Sequence, residues 1–217
     1  MSQVAPCPGH WDYEGHPKRA QLLPQRIKAL LIELRAGTYR EASSQTDTRP
    51  VHKTIFAGLT PQYFPYFAGH YRGEPLRCLD TYEVEVPADP MVGVLAEDVA
   101  TDVASLAGEL TSGMEKADAI HADTTLNEDE RVVEVVAIAC DVFVRFLTIH
   151  PFANGNGHAA RFLIWAFLGR YDLWADAWTI EPRPGHQHYS NGIYLHRRNS
   201  KSRLIAAVLA SLAPKTP

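Results

Sequence analysis

The stretch HPFANGNGHAAR, residues 150–161, concentrates two histidines, two asparagines, two glycines and an arginine between two long apolar runs. That placement makes it a joint between two buried helices. Gly155 and Gly157 lack a Cβ and accept positive φ, so successive backbone N–H groups can converge on one point. Those amides fall at the start of the next helix, where unsatisfied donors and the helix dipole both favour an anion. His150 stands before Pro151, which cannot continue the preceding helix. An imidazole with an ordinary pKa of about 6.5 beside such a cradle is suited to take a proton from an attacking hydroxyl. Arg161 shares nearly the same helical face as His158 and can grip a second phosphate. A base, a cradle and a clamp together indicate phosphoryl or nucleotidyl transfer.

The elements that must position these groups are mostly helical. NEDERVVEVVAIACDVFVRFLTI predicts a central, nearly buried helix, with Asn127 as cap and Glu130 as its capping-box partner. HAARFLIWAFLGRY predicts a second buried helix directly after the motif. Ile27, Leu30, Leu31 and Leu34 recur at helical spacing from Pro24, with Gly37 as a stop. Asp89-Pro90 opens another predicted helix, through Leu110. YSNGIYLHRR and SRLIAAVLASL close the chain. The alternation in LRCLDTYEVEV predicts a short strand or hairpin. Residues 1–23 read as an irregular arm. The expected fold class is therefore all-α with one small β element.

Bulk properties narrow the function classes. The 217 residues are 46% hydrophobic, enough for one compact core. A net charge of −4 builds no field for a polyanion, so nucleic acid is not the expected partner. The longest apolar runs, FLIWAFLG and LIAAVLASLA, are too short to span a bilayer, so no membrane partner is expected. Cys7, Cys78 and Cys140 are odd in number and lack ligand spacing, which predicts neither a disulfide framework nor zinc, and a reducing, cytoplasmic setting. His150 and His158, with His186, His188 or His196, lack any HExxH-type frame, so a metal-only site ranks below the phosphate reading. Cys140, Trp165, Trp174 and Trp178 read as packing.

The motif resembles that of the Fic/Doc family, His-Pro-Phe-x-Asp/Glu-Gly-Asn-Gly-Arg-x-x-Arg, matching at His150, Pro151, Phe152, Gly155, Asn156, Gly157 and Arg161. Upstream, FPYFAGHYRG, residues 64–73, is similar to a Pro-Trp-Ala-Gly-x-Tyr-Arg segment of that family. Downstream, HYSNGIYLHRRNSKSRLIAAVL resembles its closing helices. The resemblance implies a Fic-like domain over 51–213, preceded by an arm and helix over 1–50. It also implies transfer of AMP from ATP, with Mg²⁺, to a Ser, Thr or Tyr hydroxyl of a target protein. His150 would be the general base and Phe152 a core anchor. Gly155, Asn156 and Gly157 would hold the α- and β-phosphates, Arg161 the distal phosphates, and Tyr189 would lie against adenine. A flap over 78–86, with Leu79, Asp80, Thr81 and Tyr82, would dock the target by strand addition.

Two positions depart from the family pattern. Asn154 replaces the acidic residue that coordinates Mg²⁺, leaving a neutral oxygen and a metal held mainly through the phosphates. His158 replaces the first motif arginine and loses its fixed fork. The alternatives are therefore a degenerate fold that binds nucleotide or protein with little turnover, and a Doc-like kinase moving the γ-phosphate. The family's regulatory string has its nearest counterpart in HWDYEG, residues 10–15, which makes Glu14 the candidate inhibitory residue. Regulation by a separate antitoxin-like protein, and delivery outside the cell as an effector, are the other expectations.

Overall fold

The computed structural model describes residues 5–185 and 189–213. Among them are helices α1 (Arg19–Arg35), α2 (Ala42–Gln45), α3 (Arg49–Phe56), α4 (Val99–Ala122), α5 (Glu128–Ile149), α6 (Asn156–Gly169), α7 (Ser190–His196) and α8 (Ser202–Leu209), and no strand. The all-α expectation holds, without the β-hairpin.

Helix α5 starts where Asn127 and Glu130 close a reciprocal capping box, each side chain accepting the other's backbone N–H at 2.9 Å. Acidic residues 128–130 face the positive end of its dipole. It packs against α4, α6 and α8, burying Val136, Cys140, Phe143 and Phe146 among others. Nearly every side chain of α6 is buried, as its all-round apolar composition requires. Helices α5 and α6 thus form the centre, and α1, α3, α4, α7 and α8 cover it.

The turn between them is held by one side chain. Asn156 donates from Nδ2 to the Phe152 carbonyl and accepts the Phe152 N–H at Oδ1, both at 2.8 Å. Phe152 itself is fully buried between Tyr71 and Phe146.

Three sequence expectations are corrected. Helix α1 begins at Arg19, with Pro24 inside it, because Leu23 is buried in the core and anchors the turn that proline alone would end. The helix expected from Asp89 to Leu110 instead runs from Val99 to Ala122. Asp89 accepts from Arg197 and Arg198, and Gly93 takes φ +92°, so residues 89–94 are committed to a loop. The predicted strand at 78–86 is a turn followed by an extended stretch. Cys78 sits at φ +67°, and Gly73 and Tyr82 both donate to the Leu79 carbonyl, so the ladder groups are spent locally.

The cysteine expectation is also corrected: Cys7 and Cys78 form a disulfide, while Cys140 is free and buried. The premise for a reducing compartment is thereby removed. Nothing in the spacing signals the pair, because Trp11 brings the arm back. Trp11 is buried against Phe56 and Phe67, donates from Nε1 to the Leu59 carbonyl at 2.9 Å, and donates its backbone N–H to Tyr82 Oη. Arg77 donates to the Ala5 carbonyl beside the disulfide. No described helix is long and apolar enough to cross a membrane.

The clasp on Phe152 sets a test of this architecture. Asn156→Ala strands two buried backbone groups and is expected to cost about 2–4 kcal/mol of folding stability, read from urea unfolding. A loss within about 0.5 kcal/mol, the range of ordinary surface substitutions, would show that the clasp is dispensable.

Candidate active site

Helix α5 ends at His150, which adopts the left-handed conformation at φ 55°, ψ 57°. A non-glycine residue holds that conformation only when its surroundings compel it. Arg72 supplies much of the compulsion. Its buried guanidinium donates to the carbonyls of His150, Ile149, Tyr82 and Val94, and its backbone N–H donates to the Pro151 carbonyl at 2.8 Å.

From the other side His52, on α3, braces the loop. Its Nδ1 accepts the Gly69 N–H at 3.0 Å, which fixes the tautomer, so Nε2–H donates to the Asn154 carbonyl at 2.9 Å. The His52 ring stacks on Phe152 at 3.7 Å. Gly155 then turns the chain at φ +78°, and a Cβ there would stand 2.3 Å from Phe56 Cε2. Only glycine fits.

The loop opens on a cleft of about 780 Å³ that reaches His150, the Gly155–Gly157 turn, His158, Arg161 and Tyr189. His150 Nδ1–H donates to the Leu147 carbonyl at 3.2 Å, leaving Nε2 as the basic nitrogen. Burial pushes its pKa down to about 4; the Leu147 bond opposes this, and the Arg72 and Arg197 charges add to it. His150 is therefore neutral at pH 7, as a proton acceptor must be.

On the anion side, His158 and Ala159 donate back to the Gly155 carbonyl, while no described hydrogen bond engages the N–H of Asn156 or Gly157. Those two amides, at the start of a fourteen-residue helix, form the cradle. The Asn156 side chain is spent on Phe152, so it contributes its backbone only. A Cβ on Gly157 would meet Arg161 Nη1 at 3.0 Å.

Several predicted binding groups already have protein partners. Asn154 Oδ1 accepts the Gly155 N–H at 2.7 Å and its Nδ2 donates to the Trp11 carbonyl at 2.6 Å. It clasps the arm rather than offering a free oxygen, and no described cluster of His, Cys, Asp or Glu could hold a metal. These residues do not fit a protein-held Mg²⁺. Arg161 donates to the Ile180 carbonyl and to Tyr189 Oη at 2.8 and 2.9 Å. Tyr189 is buried against Trp178 and Phe143, so it fixes Arg161 instead of presenting a platform for adenine. His158 Nε2 pairs with Glu181 Oε2 at 2.8 Å, and Glu181 also accepts from Arg19 at 2.6 Å.

Glu14 reaches the cleft rim, but residues 10–15 form a turn in which Gly15 donates to Asp12, not a regulatory helix. Of the docking residues, Leu79 and Tyr82 are buried and only Asp80 and Thr81 face outward. The part of this segment that lines the cleft lies further along, at Val86 and Ala88, where the Asp89 N–H donates to the Val86 carbonyl and closes a turn. His186 and His188 lie outside the described residues. Sequence reasoning missed His52, Asp89, Glu181 and Arg197. Of these, Glu181 sat in a Pro/Gly-rich loop with no periodicity to flag it.

A left-handed histidine, a glycine turn and free amides opening a buried helix together suit a phosphate-bearing ligand. The Fic/DOC family model matches residues 25–168, more than half of the sequence, and the chain belongs to that family. The family in general transfers AMP or other phosphate-containing groups and acts on protein targets. Among curated proteins, none matches this sequence closely enough to count as a relative.

Two histidines whose burial opposes protonation, His52 and His150, make stability pH-dependent. Burial lowers His52 to about 3 and His150 to about 4, both below the ordinary value of 6.5. Between those values the unfolded chain binds protons that the folded one refuses. Their stabilisation is thus present above about pH 6.5 and is lost as pH falls, at about 1.4 kcal/mol per pH unit for each histidine. Urea midpoints at pH 7, 6 and 5 should fall accordingly. A flat series would mean that the imidazoles charge freely in the fold.

Proposed function

We propose that this protein transfers AMP from ATP to a Ser, Thr or Tyr hydroxyl of a target protein. The supporting observation is the neutral His150, its Nε2 unprotonated, in one cleft with the unengaged amides of Asn156 and Gly157. The acceptor hydroxyl oxygen forms a bond to the α-phosphorus while the bond from that phosphorus to the bridging oxygen breaks. The diphosphate leaves with the electron pair, and the hydroxyl proton goes to His150 Nε2. The two amides stabilise charge growing on the α-phosphate oxygens. Any Mg²⁺ that comes with the nucleotide would be held by its phosphates. The target segment lies along the stretch from Glu83 to Val86, where Glu85 is exposed while the Glu83 carboxylate is held by Arg72 and the Ala96 N–H.

An ATP donor suits a cytoplasmic setting, its own or that of a cell receiving it as an effector. With no regulatory helix at residues 10–15, control falls to a separate antitoxin-like protein. One observation favours a second reading, a nucleotide-binding module with little turnover: both Arg161 and His158 are already paired within the protein.

Incubation with α- and γ-labelled ATP in a lysate separates the readings. Transfer of the α-label, reduced at least about a hundredfold by His150→Ala, is the expected result. Label from the γ-position alone would establish a kinase instead. Calorimetric binding of ATP without either label would establish the module.

A further inference from the structure

The groups around His158 do more than replace a motif arginine. His158 is 3% exposed at the side chain, yet it lines the cleft beside Gly157 and Arg161. Its Nε2 stands 2.8 Å from Glu181 Oε2, and Glu181 is held in turn by Arg19. No described hydrogen bond engages its other nitrogen, Nδ1. The ring is fixed edge-on by Tyr13 and Phe56 at 5.7 and 5.4 Å. It cannot swing away from Glu181 without disturbing both.

We propose that His158 and Glu181 form a proton-carrying pair that becomes the second phosphate-binding cation of the cleft when the donor arrives. In this state Nε2–H stays on Glu181, Nδ1 takes a proton from solvent, and Nδ1–H donates to a phosphate oxygen of the donor. Glu181 is a positioning residue and His158 the contact. The inference rests on the nucleotide reading above and deepens it.

The surrounding charges decide when the proton binds. From the arm come Glu14 and the un-ionised Tyr13; from α1, Arg19; from α3, the neutral His52; from α6, Arg161; from the loop after α6, Glu181 and Arg183. Burial lowers His158, Glu181 opposes that shift, and Arg161 reinforces it. Without donor phosphates, these groups favour a neutral ring. Donor phosphates add negative charge beside it and oppose the Arg161 field, so protonation becomes favourable. An arginine there would be charged always. The pair makes that charge conditional on the ligand, and affinity must then fall as pH rises.

Calorimetry with the α,β-methylene analogue of ATP, in two buffers of different ionisation enthalpy, reads the proton directly. Native protein should take up about one proton at pH 7.5, beyond the analogue's own share, and lose up to about tenfold in affinity per pH unit above that. His158→Arg should abolish the extra uptake and flatten the pH dependence, while Glu181→Gln should lower the uptake with the imidazole still present. Equal uptake in the native protein and His158→Arg would overturn the inference. If label transfer from ATP persisted in that case, the transferase reading would stand alone. Absence of any binding by native protein would overturn both.

Discussion

One side-chain amide closes the turn on which the site depends. By bonding both the N–H and the carbonyl of Phe152, Asn156 joins the first residue of α6 to the loop leaving α5, within a span too short for any regular element. The left-handed His150 and left-handed Gly155 are the two bends that the clasp spans. Arg72 braces the first bend and His52 the second. Neither brace touches the basic nitrogen of His150, yet without them α5 and α6 could not meet with their ends open toward one cleft.

The two departures from the family motif are absorbed differently. Asn154 keeps its place in the loop but changes its task, tying the Trp11 carbonyl to the Gly155 N–H. A carboxylate could accept the Gly155 bond but would repel the Trp11 carbonyl, so this arm and this asparagine suit each other. His158 finds its hydrogen-bond partner in Glu181, which in turn engages Arg19. The cleft is thus a set of groups whose polar demands are mostly met from within. Among the described residues, its open valences include the Asn156 and Gly157 amides, His150 Nε2, His158 Nδ1, and the unpartnered Arg19 Nε and Arg197 Nη1.

What the sequence discloses follows the range of the interaction. Helices α5 and α6 are legible because capping boxes and apolar stripes are local. The motif is legible because its glycines, histidines and arginine are consecutive. The turn at Leu76–Tyr82 is not, since Val84 and Val86 alternate like a strand while Cys78 and the Leu79 carbonyl divert the backbone. The late start of α4 depends on Asp89 meeting Arg197 and Arg198 just past the end of α7, a contact that no window reaches. The same holds for the Cys7–Cys78 pair, for His52 against Asn154, and for Glu181 against His158. Tyr189 lines the cleft, but its ring is buried against Trp178 and Phe143, contacts that its own sequence neighbourhood does not disclose.

The arm carries a consequence for how the molecule is made. Trp11 needs Leu59, Tyr82 and Asn154 to satisfy its indole, its amide and its carbonyl. During synthesis it leaves the ribosome well before any of them, and more than a hundred residues separate it from the last. For that interval a large apolar side chain has no home, and it is exposed to chaperones and to premature oxidation of Cys7 beside it. The segment that finishes the cleft is thus translated well before the residues that hold it and settles only after them, so that assembly of the site waits on completion of α5.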